Sequence, residues 1–573
     1  MDNQREERPW LKWYDPGVPA DIHIPDEPLP TLLAATAVRY PKRAAIRFFG
    51  RSLTYQALDA AANRFANALI QLGVAPGDRV ALFMPNCPQM VVAYYGGLRA
   101  GAVMVPTSPL YSEQELEHQL ADAGASVVVC LSLLFPRIQA VRQRLPALGQ
   151  VVVTNIKEYF PIRLRLLFTL GKERRDGHRV KLPHDGQTHQ LGRLMSRASA
   201  TSPKVAVRPD DLALLQYTGG TTGVAKGAML THRNLVANTL QVRSWFSPLA
   251  KPDGAEVILG VLPLFHIYAL TTVMNFGISG GATLVLQPRF AVRDVLKAID
   301  RERPDLLPGV PTMYMAINTA PDLARYNLSS LKGAICGAAP LPREVQARFE
   351  QLTGAKLVEG YGLTEASPVT HGTPLLGEHK PGSIGIPLPS TYAAIFDPDS
   401  GTQRLGIGET GELAVRGPQV MRGYWRRPDE TAQVLRDGWL FTGDIACMDA
   451  DGYFSIVDRK KDMIITGGMN VYPRDVEEPL YAHPKVKEVV AVGLPDERWG
   501  EAVKVYIVLK DGQTATEQEI VEYCQAHMAR YKVPKLVEFR TELPKSLVGK
   551  FLRRQLLAEE QARRLDNEAT RAS

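Results

Sequence analysis

The sequence predicts an α/β fold: a large N-terminal domain of parallel-type sheets covered by helices, followed by a small α+β C-terminal domain. Three observations carry this. First, apolar β-like runs alternate with helical patterns, as in "RVALFMP" then "QMVVAYYGGLRAG", and "SVVVCL" then "RIQAVRQRL". "DLLPGVPTMYMAI" and "GAKLVEGYG" continue the series. Strands separated by helices pair in parallel and need cover on both faces. Second, from about Tyr392 the texture becomes turn-rich and alternating, as in "GETGELAVRGPQVMRGYW" and "DGYFSIVDRKKDMI", which predicts a smaller antiparallel unit. Third, after Arg459 a compact pattern follows, "VKEVVAVGLPDE", "AVKVYIVLK" and "TEQEIVEYCQAHMA", about the length of one small domain. The expected division is 1–458, a junction at 459–461, and 462–573.

Composition narrows the function classes. The 573 residues are 22% charged, ordinary for a globular chain long enough to bury several cores. The net charge of +7 is mostly local: residues 157–181 hold eight Lys/Arg and three Asp/Glu. A nucleic-acid binder would carry a broad basic face and a reading motif, and neither is present. The five cysteines are scattered with no C-x-x-C, which disfavours a disulfide framework or a zinc site and points to a reducing, cytoplasmic setting. The opening "MDNQREERPW" lacks an apolar h-region, so no secretory signal is expected.

Two stretches test that reading. Residues 257–288 contain no Asp, Glu, Lys or Arg, long enough to span a bilayer. Pro263, His266, Asn275 and Gly280-Gly281 interrupt them, so a helix plus a core strand is the expectation. The segment "YFPIRLRLLFTLGKERR", 159–175, is basic and amphipathic. It reads either as a peripheral contact with the inner face of a membrane or as a packed surface helix with a solvated basic face.

The chemistry-bearing segments begin with "YTGGTTGVAKGAML". A strand, "DLALLQY", leads into Thr218, Gly219, Gly220, Thr221, Thr222 and Gly223, with Lys226 beyond. Glycines let successive N–H groups face one anion, and small hydroxyls add donors without bulk. A Walker A loop would have Gly before the Lys, Ser or Thr after it, and a helix at once. Here Ala225 precedes Lys226, Gly227 follows, "GAMLT" reads as strand, and Thr231 is the expected N-cap of a later helix. Further along come "CGAAPLP" at 336–342, "EGYGLTE" at 359–365, "LFTGD" ending at Asp444, "VDRKKDMI" with Arg459, and "LPKSLVGKFLRR" with Lys550.

This ordered set resembles the AMP-forming adenylating superfamily of acyl-CoA synthetases, luciferases and peptide-synthetase adenylation domains. The resemblance covers most of the chain. It implies a small β-barrel-like subdomain in the large domain and a mobile C-terminal domain, with ATP and Mg²⁺ as cofactors and CoA as co-substrate. By that resemblance Gly337 and Ala338 lie against adenine, as do Glu359, Gly360, Tyr361 and Gly362, with Tyr361 packing on the base. Thr364 contacts the reacting phosphate and carboxylate, and Glu365 holds Mg²⁺ together with Thr218. Asp444 accepts from the ribose hydroxyls and Arg459 reaches ribose and phosphate. Lys550 is the catalytic lysine, Lys226 holds the leaving pyrophosphate, and Lys461 is the hinge.

The resemblance also implies two half-reactions. A carboxylate attacks ATP to give acyl-AMP, then a thiol attacks the acyl group and AMP leaves. Between them the C-terminal domain rotates, bringing "TGGMN" with Gly467 and Gly468 towards a thiol channel. His266 and Leu270 in "LPLFHIYAL" sit where the acyl pocket begins. His266 stands where peptide-synthetase domains have the Asp that pairs with an amino acid's ammonium, which disfavours amino-acid substrates. "SPLYSEQELEHQLADAGA" at 108–125 resembles bacterial long-chain fatty acyl-CoA synthetases. Those relatives usually have Asn at Ser108, and some have Trp at Leu270, so chain length is less constrained than reaction type. Only 23 residues follow Lys550, so no carrier domain is expected and CoA is the expected acceptor. A medium-chain or aryl acid ligase is the enzymatic alternative. A nucleotide switch is the alternative from another class, and a homodimer is compatible with either.

Overall fold

A computed structural model of the chain describes residues 8–218, 225–377, 379–380, 382–466, 469–496, 499–545 and 551–572, without the side chains of 459, 461, 470 and those beyond 563. Two large sheets form its body. One has seven strands in the order Thr188–Gln190, Gln150–Thr154, Val127–Leu131, Arg79–Phe83, Val103–Thr107, Leu212–Thr218 and Lys226–Thr231. Every neighbouring pair is parallel except the last, a hairpin in which Thr218 faces Lys226. The run Val127–Leu131 is buried at every position, as a strand covered on both faces must be. Its valines each stabilise the core by roughly 1.5–3 kcal/mol.

The second sheet has nine strands and a central parallel run through Lys356–Gly362, Gly333–Cys336, Leu306–Gly309, Val257–Gly260, Thr283–Leu286 and Ala44–Phe48. The charge-free stretch therefore supplies two core strands, joined by helical pieces at Ile267–Ala269, Leu270–Asn275 and Phe276–Gly280. The middle piece is a π-turn, a feature found more often at functional sites than in ordinary helices. Among the described residues no helix is long and apolar enough to cross a membrane.

The texture change at Tyr392 is the start of a third sheet, antiparallel throughout, built from Tyr392–Phe396, Thr410–Arg416, Leu435–Arg436, Trp439–Met448 and Phe454–Arg459. A fourth belongs to the small C-terminal unit: Ile464–Thr466, Met469–Val471, Val486–Asp496, Gly500–Leu509 and Leu536–Phe539. It has its own apolar core, with Val476, Leu480, Ile520 and Cys524 fully buried.

The segment 159–175 is packed on the core through Tyr159, Phe160, Leu164 and Phe168 with its basic side chains outward, as a surface helix would be, but it also exposes apolar residues. Phe160 is buried and makes edge contacts with Phe49 and Phe168. Ile162, Leu166, Leu167 and Leu170 point outward, with Leu170 87% exposed. Arg163, Arg165, Lys172, Arg174 and Arg175 are exposed beside them.

Candidate active site

The site residues gather where the parallel strands end, the usual position for a crevice in an α/β sheet. The strands Gly333–Cys336 and Lys356–Gly362 run side by side with Cys336 opposite Glu359, so Gly337 and Gly360 leave the sheet together. A Cβ at Gly337 would sit 3.1 Å from the ring of Tyr268, a tight contact that favours glycine. Tyr268 itself is fixed by donating to the Ile335 carbonyl at 2.9 Å. Ala338 holds φ +70, a left-handed conformation that non-glycine residues seldom adopt outside constrained sites. At Gly362 a Cβ would lie 2.1 Å from the Pro368 carbonyl oxygen, so the chain can turn there only without a side chain.

Glu359 accepts from the Leu341 N–H at 3.1 Å. Burial pushes its carboxyl up to about 7, against the smaller opposing pulls of that hydrogen bond and of Arg474. The Tyr361 hydroxyl donates to Asp444 Oδ2 at 2.6 Å. The Tyr361 ring meets His371 edge-on at 5.7 Å, and His371 meets Phe454 at 4.9 Å. Burial pushes His371 down to about 3, so it is a neutral wedge behind Tyr361. Asp444 lies in Trp439–Met448 opposite Arg459, whose backbone is placed by that pairing. These groups form one corner of the site.

A second corner surrounds the hairpin Leu212–Thr218 and Lys226–Thr231. Thr231 caps the helix His232–Trp245 by accepting from the Asn234 N–H, as the sequence predicts. The turn Thr364–Ala366 lies against both hairpin strands. Residues 421–425 run along the outer strand: Met229 N–H donates to the Gly423 carbonyl, and Trp425 N–H to the Gly227 carbonyl. That pairing delivers Tyr424, whose hydroxyl donates to Glu365 Oε1 at 2.7 Å. Lys226 Nζ sits 5.2 Å from the Tyr424 ring centroid and 2.9 Å from Glu430 Oε2. Thr218 is half-buried at the end of its strand.

The region of His266 and Leu270, expected to begin the acyl pocket, is tied to the same hairpin. Gln216 Nε2 donates to the Phe265 carbonyl at 3.0 Å, next to half-buried His266. Leu270 is fully buried and begins the π-turn. Gly219, Gly220, Thr221, Thr222, Gly223, Gly467, Gly468 and Lys550 lie outside the described residues. Lys545 and Phe551, which flank Lys550, pair with each other as an isolated bridge.

At the junction, Lys460 Nζ bonds the Pro398 carbonyl at 2.6 Å and Glu412 Oε2 at 3.0 Å. Lys461 is in the turn Lys460–Asp462. Beyond it, the Arg474 N–H donates to Asp458 Oδ2 at 2.8 Å.

The sequence pattern of the AMP-binding enzyme matches residues 33–425, and that of the AMP-binding enzyme C-terminal domain matches 475–550. The chain belongs to the AMP-binding enzyme family. A long-chain-fatty-acid–CoA ligase of Bacillus subtilis is 46% identical over 97% of this chain and 99% of its own length. ATP-bound MatB from Rhodopseudomonas palustris has a TM-score of 0.80 at 30% identity, covering 92% of this chain and 98% of that one. The anthranilate CoA ligase AuaEII in complex with anthranoyl-AMP has a TM-score of 0.82 at 27% identity, covering 94% and 98%.

For a member of the AMP-binding family, three residues stand out that sequence reasoning passed over. Tyr424 and Glu430 lie within "RGYWRRPDET", which reads only as turn-rich texture. His371 follows "EGYGLTE" by six residues, and its place behind Tyr361 depends on a strand reversal. The tyrosine in "RGYW" was the available signal, because a tyrosine beside a glycine in a polar run needs a partner for its hydroxyl.

Proposed function

We propose that this AMP-binding enzyme joins a long-chain fatty acid to coenzyme A in two half-reactions at one site. The observation that carries the reading is the meeting of the Lys226 hairpin, the Glu365 turn and the Tyr361–Asp444 pair at the strand ends. Close likeness over nearly the whole chain to a long-chain-fatty-acid–CoA ligase supports the substrate class. In the first half-reaction a carboxylate oxygen bonds to the α-phosphorus of ATP, the bond to the bridging oxygen breaks, and pyrophosphate leaves. In the second the CoA sulfur bonds to the acyl carbon, the acyl–oxygen bond breaks, and AMP leaves. The chain forms no covalent bond to either, so orientation and charge placement supply the rate.

Each residue has a part in that scheme. Tyr361 covers one face of adenine, with Gly337 and Ala338 admitting the base edge. Asp444 accepts from the ribose hydroxyls and Arg459 reaches ribose and phosphate. Lys226 and the 218–223 loop hold the β- and γ-phosphates, and Lys550 neutralises charge on the α-phosphoryl group. Thr364 orients the reacting phosphate. Mg²⁺, when bound, neutralises phosphate oxygens, and Glu365 and Thr218 offer the hard oxygen donors it takes. His266 and Leu270 line the start of the acyl pocket. The unit 462–573 turns against 1–458 about 459–461, which exchanges Lys550 for 467–468 at the site. An aryl acid is the second substrate reading, supported by the likeness to an anthranilate CoA ligase.

Pyrophosphate release across a panel of carboxylates, with CoA present and omitted, tests this. Release with C12–C18 fatty acids, converted to acyl-CoA only when CoA is present, is expected. Release with aryl acids alone overturns the fatty-acid reading. Lys550→Ala is expected to abolish acyl-AMP formation yet spare thioester formation from supplied acyl-AMP, and equal loss of both removes the assignment.

The outward apolar and basic face of 159–175 is proposed to rest on an anionic membrane surface, from which the fatty acid is taken. Sedimentation with anionic vesicles, lost with zwitterionic ones and in Leu167→Ser/Leu170→Ser, is the expected result. Activity on detergent-free soluble acid should be unchanged in that variant.

A further inference from the structure

Glu430 is an odd residue to find beside a phosphate site. It lies in the first turn of the helix Pro428–Val434, and its Oε2 is 2.9 Å from Lys226 Nζ. The same ammonium faces the Tyr424 ring. Tyr424 in turn holds the second carboxylate of the corner, Glu365. Any polyphosphate that takes Lys226 must therefore share it with, or remove it from, a carboxylate already in contact. The two side chains are 30% and 35% exposed, and Glu430 Oε2, itself shielded from solvent, makes no hydrogen bond among the described residues, so the pair is held by charge alone and can be exchanged.

The carrier of Glu430 is firmly placed. The Tyr424 N–H donates to Thr431 Oγ1 at 2.9 Å, and Thr431 Oγ1 donates to the Arg427 carbonyl at 2.7 Å. The preceding residues are paired to the hairpin strand that bears Lys226. Glu430 and Lys226 thus belong to one rigid arrangement, and the carboxylate stays close when the ammonium turns towards a ligand.

We infer that Glu430 is a built-in competitor anion: it shares the Lys226 ammonium with the polyphosphate and lowers the affinity of this corner for pyrophosphate, so that the first product leaves. The inference rests on the reading of Lys226 as a phosphate ligand. Competition of this kind acts on ground-state affinity and on product departure, and leaves the carboxylate and thiol steps alone.

Inorganic pyrophosphate is the probe, its affinity measured by titration calorimetry and by product inhibition on the full chain. Four proteins are compared: the parent, Glu430→Gln, Lys226→Ala and the double variant. Glu430→Gln is expected to tighten pyrophosphate by about three- to fivefold, with an unchanged melting temperature and an unchanged KM for fatty acid. In the Lys226→Ala background the same substitution is expected to change nothing. Glu430→Asp, which keeps the charge on a shorter arm, should fall between the parent and Glu430→Gln, and it replaces Glu430→Gln if that variant fails to fold. Equal tightening with and without Lys226 would make Glu430 a general source of repulsion and overturn the proposal. No tightening in either variant overturns it as well. Parent-like pyrophosphate affinity in Lys226→Ala refutes the reading of Lys226 instead, a result distinct from both.

Discussion

The two corners of the site hold their charged groups in different ways. At the proposed adenine and ribose corner, the partner of one nominated residue is another: Tyr361 donates to Asp444. At the proposed phosphate corner, the partners come from elsewhere: Glu365 is held by Tyr424 and Lys226 by Glu430. The first corner is backed by the neutral His371 wedge. The second is assembled by a distant segment that reaches it through strand pairing. The AMP moiety stays bound through both half-reactions, whereas the β- and γ-phosphates are present only in the first. A corner whose nominated residues hold each other suits the group that stays, and a corner with exchangeable partners suits the group that leaves.

That contrast can be broken experimentally. The largest effect is expected for Asp444→Ala, which on the proposed reading loses hydrogen bonds from both ribose hydroxyls to a charged acceptor. Both half-reactions should fall in kcat/KM by about two orders of magnitude. Loss in only one of them would separate ribose binding from the corner described here. Next come the two tyrosines, each losing a single hydroxyl and about tenfold in rate. Tyr361→Phe should slow adenylation and thioester formation from supplied acyl-AMP alike, while Tyr424→Phe should slow adenylation alone. If both variants give the same pattern, the division into a lasting and a transient corner fails.

The smallest effect concerns Glu359. Its carboxyl titrates near 7 in the folded chain, above the ordinary glutamate range. Between about pH 4.5 and 7 the folded state therefore binds more protons than the unfolded one, and this group's contribution to stability falls as pH rises. Glu359→Gln keeps the acceptor for the Leu341 N–H and removes the charge. It should raise the apparent melting temperature at pH 8 by about 1–3 °C and leave it unchanged at pH 4. A shift of equal size at both pH values would show that charge is not the cause.

The same contrast explains what the sequence disclosed. Tyr361 and Asp444 each lie in a short segment that carries the family resemblance, so that resemblance could nominate each where it stands. The parallel sheets were equally legible, because strands such as Val127–Leu131 are apolar at every position. Tyr424 was not, because its role depends on residues 421–425 pairing with a strand that begins at Lys226, and register between distant segments leaves no local trace. The π-turn at Leu270–Asn275 was hidden for a different reason. A helix buried on all sides has no polar face to betray a change of period. In 159–175 the amphipathic pattern was visible but its direction was not, since packing through Phe160 and Phe168 decides which leucines face out.

The two contacts of Lys460 have a practical meaning for dissecting the chain. Its ammonium is tied to the Pro398 carbonyl and to Glu412, a carboxylate whose side chain is only 7% exposed. Glu412 also accepts from the Gly443 N–H, beside Asp444. A fragment that ends before Lys460 takes from this buried carboxylate the ammonium that touches it, beside Asp444. One that ends just after Lys460 keeps that ion pair. The boundary for an isolated large unit is thus chosen by an ion pair, to within a single residue.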